Sequence, residues 1–277
     1  MGSIFKTSII FLCLLTHTLL SVGSTPKKDL DQILVISAYA DSNPWSNSFI
    51  TPIVTMASQD STIGAYTIYL NMFALQNAKE VDKFEASICE MLPSSPPKMV
   101  VFVGNASFVF CDNLNKIWPD IPMLLCGERD YTGPDSLIIQ AHALAPQQRI
   151  PISDLQKTMN LTMLYANLYI EENLQLMKQL IPQMNKVIYI GDGTYTCQQN
   201  DYDLSATIRK KHPDLEYQFI SAENTSTDSL FTILRKQNPL TTGFLFSSWL
   251  RKKDYEENLV MTSNSHRIKS GKTRRAA

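Results

Sequence analysis

Short apolar runs recur along the chain, each bounded by turn-forming residues. Residues 33–37 (ILVIS), 65–70 (AYTIYL), 98–103 (KMVVFV), 122–126 (PMLLC) and 136–139 (SLII) have strand length and almost unbroken apolar character. That is the pattern of strands buried on both faces. Segments with helical spacing lie between them: 50–56, 81–92 with Val81, Phe84, Ile88 and Leu92 on one face, and 107–118. Residues 141–153 (AHALAPQQRIPIS) have two prolines and no period, which predicts a crossover. The alternation then resumes. A helix is predicted over 160–181, ended by Pro182, followed by a strand at 186–190, a helix at 202–211 and a strand at 215–220. A helix over 228–236, opened by a capping Asp228, precedes a strand at 242–246 and a last helix at 255–263. Strand–helix alternation of this kind predicts an α/β fold of two doubly wound parallel-sheet lobes with a cleft between them. The boundaries follow as 24–141, a hinge at 142–156, and 157–265, with a basic tail at 266–277.

The first residues set the compartment. Met1 to Lys6 carry one positive charge, and residues 7–20 (TSIIFLCLLTHTLL) are uncharged and mostly apolar. Ser21-Val22-Gly23 is a small-x-small site, and Lys27, Lys28, Asp29 and Asp31 follow at once. This order is that of a secretory signal at 1–23 cleaved near Gly23. The apolar run is about 14 residues long, against about 20 for a spanning helix. The expected location is the periplasm.

Charge and motifs narrow the chemistry. The chain has 25 Lys and Arg against 26 Asp and Glu, so no bulk field draws it to nucleic acid. Export leaves Cys89, Cys111, Cys126 and Cys197. None form a C-x-x-C pair, and the three full disulfide pairings stay open. Cys111 and Cys126 each close an apolar run and read as small buried residues. Gly191-Asp192-Gly193 begins like a dinucleotide fingerprint, but Thr196 stands where the third glycine is needed. No P-loop and no G-x-S-x-G elbow is present. His142, His212 and His266 have no nearby ligand partner in sequence, so no metal, cofactor or catalytic residue is expected.

Ligands of open parallel sheets sit beyond the carboxyl ends of strands. In the first half those positions hold Tyr39, Trp45, Asn47, Asn105, Ser107, Glu128 and Arg129; in the second they hold Asp192, Thr194, Tyr195, Ser248 and Trp249. Rings, amides, hydroxyls and a carboxylate–guanidinium pair together suit a polar small molecule, and the Trp, Tyr and amide content points to a carbohydrate or its breakdown product. Each residue also has a purely structural reading. Tyr39 and Trp45 can pack on loops, Asn43 or Ser42 can cap a helix, Gly104-Asn105 can form a tight turn, and Glu128-Arg129-Asp130 can be a solvated cluster.

Several segments resemble one family. They are Ser37-Ala38-Tyr39, Pro44-Trp45-Ser46-Asn47, Pro52-Ile53, residues 103–108 (VGNASF), residues 118–122 (WPDIP), and above all residues 126–134 (CGERDYTGP). They are similar to the periplasmic sensor region of hybrid two-component histidine kinases, which has a type I periplasmic-binding-protein-like fold. The resemblance spans residues 30–265 and is strongest over 33–134. It implies a ligand-sensing ectodomain with no kinase module of its own; a homodimer stays open. Such a sensor continues into a return strand, a membrane helix and a kinase, so the expectation is a chain incomplete at its C-terminus. The alternative is a solute-binding protein of an ABC-type transporter.

Overall fold

The computed structural model describes residues 31–72, 86, 96–249, 251–253 and 259–261. The expected signal at 1–23, the basic stretch at 266–277 and, Ala86 apart, the expected helix at 81–92 lie outside the described residues.

Strand β1 (Asp31–Ser37) leads into helix α1 (Pro44–Gln59) and strand β2 (Ile63–Tyr69). The cap of α1 is Asn43, whose side chain accepts from Ser46 N at 2.9 Å, and Pro44 supplies a preset φ at the first helical position. Strand β3 (Met99–Val103) passes through a 3-10 turn (Asn105–Phe110) into helix α2 (Cys111–Ile117) and strand β4 (Met123–Gly127). There follow β5 (Tyr131–Thr132), α3 (Asp135–Ile139), β6 (Ile150–Pro151), α4 (Ile152–Leu155) and β7 (Leu161–Tyr165). The rest is α5 (Ile170–Leu180), β8 (Lys186–Gly191), α6 (Tyr195–Lys211), β9 (Glu216–Ser221), α7 (Thr227–Arg235), β10 (Thr242–Phe246) and the short pair β11 (Arg251–Lys253) and β12 (Leu259–Met261).

The fold is α/β with parallel sheets. One sheet has the order β2-β1-β3-β4-β7, all parallel, and a second has the order β10-β8-β9, also parallel. Residues divide into two compact units. The described residues within Met1–Met72, Ser87–Asp130 and Ile152–Tyr165 make the first, and those within Phe73–Ala86, Tyr131–Pro151 and Ala166–Ala277 the second.

In the first unit, side-chain alternation fills both faces of the sheet. Val35, Val101, Val103 and Cys126 pack with Ile50 of α1 on one face. Leu34, Ile36, Val100, Phe102 and Leu125, on the other, are fully buried, and truncating any large one to alanine costs about 2–5 kcal/mol. In the second unit Val187 and Tyr189 pack with Leu174 of α5 and Leu204 and Ile208 of α6, while Ile188, Ile190 and Ile220 pack with Leu230 of α7.

Five expectations are corrected. Residues 136–139 are helical, not a strand: they form α3 directly after Pro134, and only Ile138 of the run is buried. The expected helix at 160–181 is two elements. Residues 161–165 instead extend the first sheet, with Leu124 opposite Thr162, and the helix proper is α5, which stops short of Pro182. Strand pairing there outweighs the local helical pattern. The expected crossover at 141–153 is not a simple linker. The chain passes from the first unit to the second at 130/131, returns at 151/152, and leaves again at 165/166. Helix α7 is capped by Ser226, whose hydroxyl accepts from Ser229 N at 3.2 Å, and not by Asp228. Within the last expected helix, 255–263, the described residues are strand: Leu259–Met261 pairs antiparallel with Arg251–Lys253.

Candidate functional site

Strand order reverses direction around β1 in the first sheet and around β8 in the second. Such switch points, at the carboxyl ends of the strands, are where open parallel sheets hold ligands. Each edge is built by its own unit.

At the first edge the chain leaves β3 through Gly104, whose φ is +88°. A Cβ there would come within 2.7 Å of the Tyr39 ring, so glycine is required by both conformation and space. Asn105 follows, 7 % exposed. Its Oδ1 accepts from Glu128 N at 2.8 Å and Arg129 N at 3.2 Å, and its Nδ2 donates to Arg129 O at 2.9 Å. This amide therefore locks the loop after β4 onto the loop after β3. Ser107 Oγ donates to Gly104 O at 2.8 Å, which finishes the turn. Arg129 is almost wholly buried, with Nη1 3.6 Å from Glu128 Oε2. Burial pushes the Glu128 carboxyl up from its ordinary range, and the Arg129 charge opposes that rise. Tyr39 meets Trp45 edge-on at 5.4 Å between centroids, and Trp45 lies against Phe49 and the Val35–Ile50 cluster. Trp45 is thus a half-buried packing residue. Asn47 Nδ2 donates to Asp41 O at 2.7 Å and braces the loop before it.

The second edge centres on Asp192, which is 0 % exposed. Its Oδ1 accepts from Thr194 N at 3.1 Å, and its Oδ2 accepts from Ser248 Oγ at 2.8 Å. The second bond spans the switch point between β8 and β10. Thr194 caps α6, its Oγ1 accepting from Cys197 N at 3.4 Å. Cys197 Sγ lies 3.2 Å from Ser248 Oγ. Burial first, and the nearby Asp192 charge second, push the Cys197 thiol up, so it stays protonated and is a poor nucleophile. Tyr195 is buried. Trp249 packs beside Ile188 and Ile190, with Nε1 donating to Thr227 Oγ1 at 3.3 Å. The Glu223 carboxylate lies against Gly193, so a side chain there would displace the Glu223 side chain.

Sequence reasoning missed Cys197 and Glu223 at this edge. The Thr194-x-x-Cys197 spacing, a cap bonded to the third helical residue, was the available signal for the first. Nothing local signals Glu223, which follows a different strand. Among the described residues no group of three or more His, Cys, Asp or Glu side chains is placed to hold a metal. Among them, too, no helix is long and apolar enough to cross a membrane, and Cys111, Cys126 and Cys197 form no disulfide. The sequence matches no family model, and a search of curated proteins finds no match.

Proposed function

We propose that the chain binds a small polar ligand at the carboxyl edges of its parallel sheets and acts as the extracytoplasmic sensing domain of a two-component receptor. In this reading the two units are the lobes of a type I periplasmic-binding-protein-like domain, exported to the periplasm, and a carbohydrate-derived molecule is the ligand class. The observation that carries the binding role is the burial of charged residues at the carboxyl edges of both sheets: Arg129, after β4, at 3 % and Asp192, after β8, at 0 % exposure. Buried charges are costly unless they are paired or used, and these two stand where this sheet type places ligands. The signalling role rests on the resemblance of residues 126–134 and 103–108 to kinase sensor regions.

A thermal-shift screen of monosaccharides, oligosaccharides and sugar acids tests the binding role. A hit should lose its shift in Glu128→Gln or Asp192→Asn, each of which keeps shape and removes charge. The unliganded variants should melt within about 3 °C of the parent, which corresponds to about 1 kcal/mol. A ligand bound equally by parent and both variants sits elsewhere, and the assignment fails.

A further inference from the structure

Three sulfurs converge at the opposite end of the first unit. Cys111 Sγ, at the start of α2, lies 3.6 Å from Met123 Sδ and 3.7 Å from Met159 Sδ. Cys111 and Met123 are 2 % exposed, and Met159 is half-buried. Met123 opens β4, so the cluster is at the amino end of a strand whose carboxyl end carries Glu128 and Arg129. Four residue rises of about 3.3 Å separate Met123 from Gly127, about 13 Å in all. The site is separate from the candidate ligand edge.

The donors come from three chain segments that the backbone holds in place. Met159 N donates to Leu155 O at 3.0 Å, and Leu161 N donates to Met159 O at 2.8 Å. Met123 N donates to Asn160 O at 2.8 Å, and Asn160 Nδ2 donates to Asp120 O at 3.2 Å. A thiol has one hydrogen and can donate to only one of the two thioethers at a time. A metal bound at about 2.3 Å from three coplanar sulfurs would set them about 4 Å apart, within a few tenths of the two distances from Cys111 Sγ to the thioethers.

We propose that Cys111, Met123 and Met159 form a binding site for a soft monovalent cation, Cu(I). One thiolate and two thioethers are the donors such an ion selects, whereas thioethers are poor ligands for harder divalent ions. Charge points the same way. Binding exchanges the thiol proton for the metal: the S–H bond breaks, an S–Cu bond forms, the proton leaves to solvent, and copper keeps its oxidation state. The product is neutral, as burial requires; a divalent ion would leave an uncompensated positive charge among apolar residues. Met159 provides the entry route, because it is the one residue of the three that is only half-buried and its side chain is flexible.

The test is competition for Cu(I) against bicinchoninate, with the full chain under reducing, anaerobic conditions, and native mass spectrometry with Ag(I) as a redox-silent probe. The parent should retain one more ion than Cys111→Ser. Met159→Leu and Met123→Leu keep every thiol and the apolar volume, so both should bind Cu(I) at least about tenfold more weakly while their melting stays near the parent's. X-ray absorption of the Cu(I) form should show three sulfur neighbours. Wild-type affinity in both methionine variants would mean that no thioether ligates, and the proposal would fall. Uptake that does not depend on Cys111 overturns it equally. The half-buried Met159 makes its variant the safe arm should Cys111→Ser fail to fold.

Discussion

Arg149 Nη2 donates to Asp203 Oδ1 at 2.6 Å, a charge-assisted bond between residues 54 positions apart that fixes the segment 131–151 to helix α6. Asp203 is the hub. Its Oδ2 accepts from Tyr131 OH at 3.1 Å and its Oδ1 from Gln199 Nε2 at 3.3 Å. The Arg149 guanidinium also stacks 4.4 Å from the Tyr131 ring centroid and donates twice to Leu144 O at 3.1 Å. Both partners are only 22 % exposed, so solvent screens the pair weakly. Asp203→Ala should lower stability by about 2 kcal/mol, read as a drop in urea midpoint at unchanged slope. Hydrogen exchange in residues 131–151 should quicken more than in β8. Uniform exchange in the variant would mean that the segment is held by something else.

This pair also marks where sequence reading ran out. Strands β1, β3, β4 and β8 were legible because continuous apolar runs ended by Gly or Ser admit few other readings. With the strand ends known, the positions of Asn105, Glu128 and Asp192 at sheet edges followed. Residues 136–139 have the same apolar look but follow Pro134 and turn into a helix, a choice made by three or four local dihedrals. Leu161–Tyr165 carried a helical pattern into an edge strand because pairing with β4 is a long-range interaction. The use of each polar side chain was equally hidden. Asn105 and Ser107 are taken up by backbone 3–24 residues away, and composition cannot tell that from ligand contact.

Asn105 gives a sharp test of that distinction. Asn105→Ala strips partners from Glu128 N, Arg129 N and Arg129 O at once, an expected loss of about 2–3 kcal/mol in urea unfolding. Asn105→Asp keeps the acceptor but sets a carboxylate oxygen against Arg129 O, so at neutral pH it should be no better than the alanine variant. Parent-like stability of Asn105→Asp would show that the Nδ2 bond contributes nothing.

The cap of α7 separates two neighbouring residues by mechanism. Ser226→Ala removes the acceptor for Ser229 N and should cost about 1 kcal/mol. The Asp228 side chain stands in the first turn at an exposed position, where its charge at the positive helix end is worth about 0.5 kcal/mol. Thermal melts of the two alanine variants should therefore rank Ser226→Ala below Asp228→Ala, and more so in high salt, which screens only the second effect. The reverse order would return the capping role to Asp228.

Cys126 should stay unreactive and make stability depend on alkaline pH. The residue sits in the core of the first unit beside Val101 and Val103, and burial pushes its thiol from the ordinary 9.0 up to about 11. The folded chain thus favours the protonated thiol more than the unfolded chain does. Below pH 9 this contribution to stability is fully present, because both states hold the proton. Between pH 9 and about 11 the unfolded thiol ionises first and the contribution drains away; above that both are ionised and nothing further is lost. Iodoacetamide at pH 8 should label Cys126 only after urea is added, as judged by peptide mass spectrometry, and Cys197, raised in the same direction, should behave alike. Cys126→Ala removes the titrating group, so its unfolding midpoint should fall less steeply than the parent's from pH 9 to 11. A parallel fall in both proteins would assign the alkaline loss to other groups, and rapid native labelling of Cys126 would mean that the β3–β4 core opens far more readily than its packing indicates.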